Sequence, residues 1–204
     1  MTVSVLTPAV EEPVSLGSMK SYLRVDGTDQ DNLILSHISA ARQLCERHTG
    51  LMLLTQTVAV TLDEWPSVSG ATWWSGIKEG AIDTLQPTLS AVPLPVGPVQ
   101  TLHGIDIISE DDVATIAEPV PAYVTTGLMP LLVLRSGFKW PAVARQKSGI
   151  RIRLTVGFGA SADVPFALRE GIMQLVAHRF DNPASAELPK GIKTLWSSYR
   201  RIGA

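Results

Sequence analysis

Cys45 and His48 are the first residues whose types and spacing suggest chemistry. They lie three positions apart on a predicted helix, as two ligands of a metal site can. A zinc site needs three or four ligands, and His37 faces only roughly the same way. Cys45 is also the only cysteine of the chain, and a buried free cysteine usually packs as a small hydrophobe. We therefore predict that the protein holds no metal and that the pair contributes to packing.

Two further histidines and a glycine-rich turn are the other candidates for catalysis or cofactor binding. His103 and His178 have no evident carboxylate or nucleophile partner in the sequence. The segment "GFGAS" at 157–161 resembles a phosphate-binding loop, because backbone amides there precede a helix. It lacks the lysine of a P-loop and the third glycine of a dinucleotide fingerprint. We predict a turn from strand to helix there, no cofactor, and a protein that is not an enzyme.

The acidic run Glu110, Asp111 and Asp112 is a candidate calcium site. It has neither the alternating ligand spacing nor the central glycine of an EF-hand loop. We interpret it as a solvated hairpin turn.

Four basic residues form a local positive patch in a chain whose net charge is only −2. Two of them alternate along a predicted strand and share one of its faces. The patch is either a solvated sheet face or a surface that DNA passes without being read, and the sequence supports both interpretations. The four candidate DNA contacts are Arg145, Lys147, Arg151 and Arg153.

The C-terminal segment "LPKGIKTLWSSYRRIGA", residues 188–204, has an amphipathic pattern. Its apolar residues fall at i, i+3, i+4 and i+7, on one face of a helix, and two arginines follow them. Such a short helix is marginal in water unless the stripe packs against something. It either folds back on its own domain or docks on a partner.

The order of predicted elements indicates an α+β fold. An extended arm covers residues 1–13, and a helical pair covers 14–50, with Ser15 and Asp29 as caps and Gly50 at the end. Alternation of apolar residues predicts a β-rich region over 55–157, with strands from residue 55 and near 82–92, 99–108, 121–125, 131–135 and 150–156. A helix over 163–182 and the tail helix over 188–204 complete one domain, 1–204. We expect the terminal helices to pack as a small bundle beside a central antiparallel β-sheet region.

Composition excludes several classes of protein. Hydrophobic residues make up 45% and charged residues 18%, which is ordinary for a globular domain and opposes disorder or a coiled coil. No apolar run reaches the roughly 20 residues that a membrane span needs, so we expect no membrane partner. With one cysteine no intrachain disulfide can form, which fits assembly in a reducing cytoplasm.

A helix-turn-helix DNA-binding protein is the alternative interpretation of residues 15–48. Two helices joined by a short turn are what a major-groove reader uses, with base contacts from the start of the second helix. That start is "TDQDNL" here, which is acidic and would be repelled by phosphates.

Four segments taken together resemble a known family. They are "VSLGSMKSYLRVDGTDQDNLILSHISAARQLCERHTG", "TQTVAVTLDEWP", "LPVGPVQTLHGIDI" and "IRLTVGFGASADVPFALREGIMQLVAHRFDNP". In order and spacing they are similar to the head–tail connector proteins, also called adaptor or head-completion proteins, of long-tailed phages, prophages and gene transfer agents. The resemblance runs from about residue 13 to residue 201.

This resemblance implies a structural protein of the virion neck, assembled in the host cytoplasm. Its partners would be the portal protein, neighbouring copies in a ring expected to have twelve subunits, the next neck protein (a stopper or tail terminator), and passing DNA without sequence preference. In this family the C-terminal segment reaches the portal. The expected portal-docking residues are then Ile192, Leu195, Trp196, Tyr199, Arg200 and Arg201. The loop "SVSGATWWSGIKEG" departs from many relatives, and its Trp73 and Trp74 are open to a surface or a core role.

Overall fold

A computed structural model describes residues 1–65, 91–118, 120–143, 145–183 and 187–201 of the chain. Trp73 and Trp74 lie outside the described residues, as does most of the strand predicted near 82–92. The described helices are α1 (Leu16–Leu23), α2 (Asp31–Thr49), α3 (Phe166–Asp181) and α4 (Lys190–Ser197). The strands are β1 (Thr2–Thr7), β2 (Gln56–Leu62), β3 (Ala91–Pro93), β4 (Val99–Ile108), β5 (Ala114–Ile116), β6 (Ala122–Val124), β7 (Leu131–Leu134) and β8 (Ile150–Val156). None of the described helices is long and apolar enough to cross a membrane.

The four helices pack around one hydrophobic cluster, and their ends follow local sequence signals. Ser15 caps α1 as predicted, because its Oγ accepts a hydrogen bond of 3.2 Å from the Ser18 amide. Gly50 ends α2 in the left-handed conformation, with φ of 74°. The prediction that Asp29 caps α2 was wrong: Gln30 takes that position and makes no side-chain cap. The first turn of α2 instead begins with Asp31, whose carboxylate suits the positive end of the helix dipole.

The larger sheet has five strands in the order β1-β2-β8-β4-β5, and every neighbouring pair is antiparallel. The alternation predicted for β2 is present, since Val58, Val60 and Leu62 are buried on one face. Those residues lie opposite the apolar residues of β8, and Arg151 and Arg153 share the other face with Thr61 and Ala59. The sheet therefore has an apolar face toward the core and a face that carries Thr, Ser and Arg.

A second sheet, in the order β3-β7-β6, contributes to the same β-region core as the apolar face of the first. Its contribution includes Val92, Leu132 and Ala122. Trp65 stacks on Trp140 with ring centroids 4.2 Å apart. Its indole nitrogen donates a hydrogen bond to the Pro141 carbonyl, so the two tryptophans fix the end of β2 against the loop before β8.

A partly buried charge network joins the N-terminal arm to α2. Arg42 lies between Glu12 and Glu46, with nitrogen–oxygen distances of 2.8 and 3.0 Å. Glu46 also accepts a hydrogen bond from the Leu53 amide, which fixes the chain between α2 and β2. Burial outweighs these contacts and raises the pKa of Glu46. The arm is therefore attached to the helical cluster rather than loose.

The predicted α+β class, with helices beside antiparallel strands, is confirmed. The sequence interpretation missed two strands. β1 lies within the segment predicted to be an arm without strand periodicity, and β5 follows the acidic turn. They are the two edges of the five-stranded sheet.

Candidate functional site

The apolar stripe of the tail is divided between the core and the surface. Ile192 and Trp196 are buried in the helical cluster, and the Trp196 indole nitrogen lies 3.4 Å from the Leu168 carbonyl oxygen on α3. Gly171 makes this possible, because a Cβ at that position would lie 2.2 Å from the same nitrogen. A glycine of α3 thus creates the space that the indole occupies.

The remaining tail residues are more accessible. Leu195 and Tyr199 are half-buried and Arg200 is exposed. Arg201 extends away from the helix: its amide donates to the Thr49 carbonyl at 2.9 Å, and its guanidinium donates to the Leu94 carbonyl. Burial lowers the pKa of Arg201. The residue ties the tail to both α2 and the β-region.

The sequence left open whether the stripe packs on its own domain or docks on a partner. In the single chain Ile192 and Trp196 face the core, where the indole lies beside Gly171 and Leu168. Helix α4 is also shorter than the predicted 188–204, since it ends at Ser197, before Tyr199. Contact of the tail with a portal stays a prediction for all six residues, and Leu195, Tyr199 and Arg200 are the ones that the single chain leaves outside both the buried core and the Arg201 contacts.

Cys45 and His48 belong to the same helical cluster. Cys45 is fully buried, and burial raises the pKa of its thiol. The His48 ring lies 6.1 Å from the Trp196 ring, and its pKa is lowered by desolvation and by the nearby Arg200 and Lys193. In the part of the chain that the structure describes, no three metal-binding side chains come together. The surroundings of both residues are those of packing residues.

The basic patch is largely neutralised by acidic partners. Arg153 makes two bonds to Asp106, of 2.9 and 3.0 Å, and Asp106 is only 5% exposed. The other two pairs are Arg145 with Asp112 at 2.5 Å and Lys147 with Asp63 at 3.3 Å. The pKa of Asp63 is lowered by the Ser148 amide and by Lys147.

Arg151 differs from the other three. It is exposed, and no ion pair joins it to a described acidic residue. It lies on the polar face of β8, opposite Thr61. The structure thus brings the four predicted DNA contacts to one region but leaves one of them as a free positive charge.

The "GFGAS" turn does not offer free amides to a phosphate. Gly157 and Gly159 have positive φ, of 114° and 140°, as a turn out of β8 requires. The Ala160 amide donates to Asp163 at 2.9 Å and the Ser161 amide donates to Glu11 at 2.8 Å. Two carboxylates of the chain therefore occupy the positions where a phosphate oxygen would lie, and the predicted strand-to-helix turn is confirmed.

Helix α2 lacks the surface of a DNA-reading helix. Its first two turns contain no lysine or arginine, and Asp31 at its start pairs with Lys20 at 2.7 Å. Leu33 and Leu35 are exposed there instead. A helix that reads bases needs donors and positive charge at this end, so these features oppose the helix-turn-helix alternative.

Comparison with solved structures gives full-length matches. The chain superimposes on a chain from the neck of an empty gene transfer agent particle computed with C6 symmetry, with a TM-score of 0.78 and 18% identity. A chain from the neck of the native particle computed with C12 symmetry gives 0.75 and 18%, and one from the native virion gives 0.74 and 19%. Each match covers 100% of this chain and 97% of the other.

The chain shares the fold of these neck chains. No protein-family model matches the chain, and no curated protein matches it. The neck-chain fold includes both the helical cluster and the two sheets, because the matches leave no part of the chain uncovered.

The sequence did not lead us to expect exposed apolar residues on the two edges of the five-stranded sheet. In β1, Val5 and Leu6 are 49% and 51% exposed, and beside or in β5, Val113 and Ile116 are 60% and 47% exposed. A signal for β1 was present, since "TVSV" alternates with period two.

Proposed function

We propose that this protein is a structural subunit of a virion neck, where copies form a ring beneath the portal, extend the DNA channel and join the head to the tail. The observation that carries the proposal is the full-length likeness to chains of a gene transfer agent neck. Those necks were computed with sixfold and twelvefold symmetry, which supports a ring of copies here as well. A structural role also agrees with the packing surroundings of Cys45 and His48.

Portal contact is assigned to the accessible side of the tail. Leu195 offers a half-buried apolar side chain and Arg200 an exposed charge beside it. Leucine burial at an interface is worth about 1.5–3 kcal/mol in transfer terms, whereas an exposed charge contributes little and is screened by salt. We therefore expect Leu195 to matter more for binding than Arg200.

The test uses the full-length protein and the portal protein of the same particle. Native mass spectrometry and electron microscopy should show a ring on the portal, and Leu195→Ala should weaken binding by about tenfold or more. Lys190→Ala, an exposed change at the start of the same helix, is the matched control and should bind as the original does. A protein that stays monomeric and unbound at all portal concentrations would contradict the neck assignment.

DNA contact is expected to be weak and without sequence preference. Of the four basic residues, Arg151 is expected to contribute most to it. Arg151→Ala should reduce the slope of log affinity against log salt by about one, because one phosphate contact is lost. Lys147→Ala should have less effect because that charge is paired with Asp63. If one defined duplex bound about a thousandfold tighter than random duplex, a sequence-reading function would replace this one.

A further inference from the structure

We infer that neighbouring copies join through the two edges of the five-stranded sheet, β1 of one copy pairing with β5 of the next. The inference rests on the proposed ring and names the surfaces that build it. In the described part of the chain, β1 and β5 are the end strands of the order β1-β2-β8-β4-β5. Each therefore presents a row of main-chain groups that no described strand pairs.

Neither edge strand contains a charged residue or a proline, which are two of the features that usually prevent pairing. Natural edge strands are also protected by bulges and by very short length, and these edges have one of each: a bulge at Val5–Thr7 in β1 and only three residues in β5. β1 has the sequence TVSVLT and β5 the sequence ATI, with no charge and no proline. The irregularity of β1 is confined to Val5–Thr7, so Thr2–Val5 remain regular. An uncharged strand of this composition is a ready template for another strand.

The edges of the second sheet show the contrast within the same molecule. β3 ends in Pro93, and Pro121 directly precedes β6. Arg135 lies over the Tyr123 ring of β6, 5.7 Å from its centroid, and adds a charge at that edge. Within the strands themselves, a proline lies in β3 but in neither edge strand of the first sheet.

Strand direction identifies a second copy as the partner. Because each neighbouring pair is antiparallel, the first and fifth strands point the same way. A rotation about an axis along the strands preserves that direction and brings β5 of one copy beside β1 of the next. Two different edges meet in such a contact, which is heterologous and generates a ring when the rotation closes. The geometry assigns a parallel β5–β1 pair between copies.

Exposed apolar side chains at both edges give this contact a hydrophobic component. Val5 and Leu6 lie at the β1 edge, and Val113 and Ile116 at the β5 edge. All four are 47% to 60% exposed in the single chain. Joining the edges would remove them from water together with the unpaired main-chain groups.

Cross-linking tests the contact directly. A variant with Ser4→Cys and Ile116→Cys has one exposed thiol on each edge, while the native Cys45 is buried. Within one chain the two strands are four spacings apart, about 19 Å, which is too far for a short bis-maleimide. Between copies the reagent should produce a ladder of covalent oligomers when the protein assembles with its portal. Ser4→Cys alone and Ile116→Cys alone place a thiol on only one of the two edges, and neither should give a ladder.

Charge placement provides a second variant. Val5→Lys should lower ring formation at least tenfold and leave the melting temperature of the monomer within a few degrees, since this side chain is half-exposed. Val10→Lys is the control, because Val10 is fully exposed and lies beyond the end of β1.

The outcomes separate the inference from the proposed function. If a ring formed on the portal but the cysteine variant gave no covalent oligomers, the edge contact would be overturned and the neck function left intact. The same conclusion would follow if the Val5→Lys variant still formed the ring. A ladder from a protein that never binds portal would support the edge contact and contradict the neck function. Absence of any ring would overturn both.

Discussion

The C-terminal tail and the edges of the five-stranded sheet treat their apolar residues differently. The helical half buries its own tail: Trp196 is fully enclosed beside Gly171. The sheet half leaves apolar residues such as Val5 and Ile116 exposed at its two edges. An amphipathic tail is therefore not by itself evidence of a docking surface, and the strand edges are where we propose that copies assemble.

The largest expected effect is the loss of the tail tryptophan. Trp196→Ala removes a fully buried side chain and should lower the free energy of unfolding by about 3–5 kcal/mol, measured by urea denaturation. Leu195→Ala, a half-buried neighbour, should cost less than about half as much. Equal effects of the two changes would mean that α4 does not pack as described.

Gly171 gives a sharper version of the same comparison. Gly171→Ala places a methyl group against the Trp196 indole and should cost about 1–3 kcal/mol by overpacking. In the Trp196→Ala background the same change should be neutral or stabilising, because the clash is absent and Ala favours helix more than Gly. Gly191→Ala, with open space around it, is the control. Additive effects of Gly171→Ala and Trp196→Ala would contradict the contact.

In the sheet half, the pair Arg153–Asp106 should contribute a smaller amount. Arg153→Met leaves Asp106, only 5% exposed, without its bidentate partner. Since Arg153 itself is about a third exposed, solvent screening reduces the cost to about 1–2 kcal/mol. Arg151→Met should change stability by less than about 0.5 kcal/mol. Thermal denaturation of both variants measures this difference. If Arg151→Met destabilised the protein more than Arg153→Met, Arg153 would not be the partner of Asp106.

The smallest effect is the pH dependence of the helical half. The pKa of His48 lies below its ordinary value of about 6.5, so the unfolded chain binds more protons in the window below that pH. Stability should therefore be full above about pH 6.5 and fall as the pH drops toward the lowered pKa. His48→Gln should remove part of this slope in denaturation curves from pH 7 to pH 5. An unchanged slope would show that His48 is not the responsible group.

The sequence predicted buried faces correctly where the spacing of apolar residues allowed only one structural interpretation. The alternation of β2 and β8 and the stripe Leu168, Ile172, Leu175 of α3 predicted buried faces that the structure contains. The tail stripe was ambiguous, because packing against its own domain and docking on a partner require the same spacing of apolar residues. Gly171, on another helix, decides between them, and no local pattern in the tail contains that information.

The basic patch was predictable as a group of residues but not as a set of pairs. Whether Arg153 meets Asp106 depends on the register of β4 against β8, which includes irregularities between Val99 and Thr101 and between Leu102 and Gly104. Such a shift changes which side chains lie opposite each other. The edge strand β5 was missed for a related reason, since three residues are too few for a periodic signal.

An electron cryo-microscopy map of the ring assembled on its portal would show both the sheet edges and the tail. We expect β5 of each copy beside β1 of the next in a parallel pair, with Trp196 still packed against Gly171 and Leu168 of its own chain. A map in which both sheet edges face solvent and α4 has left the helical cluster to insert Trp196 into the portal would contradict this expectation.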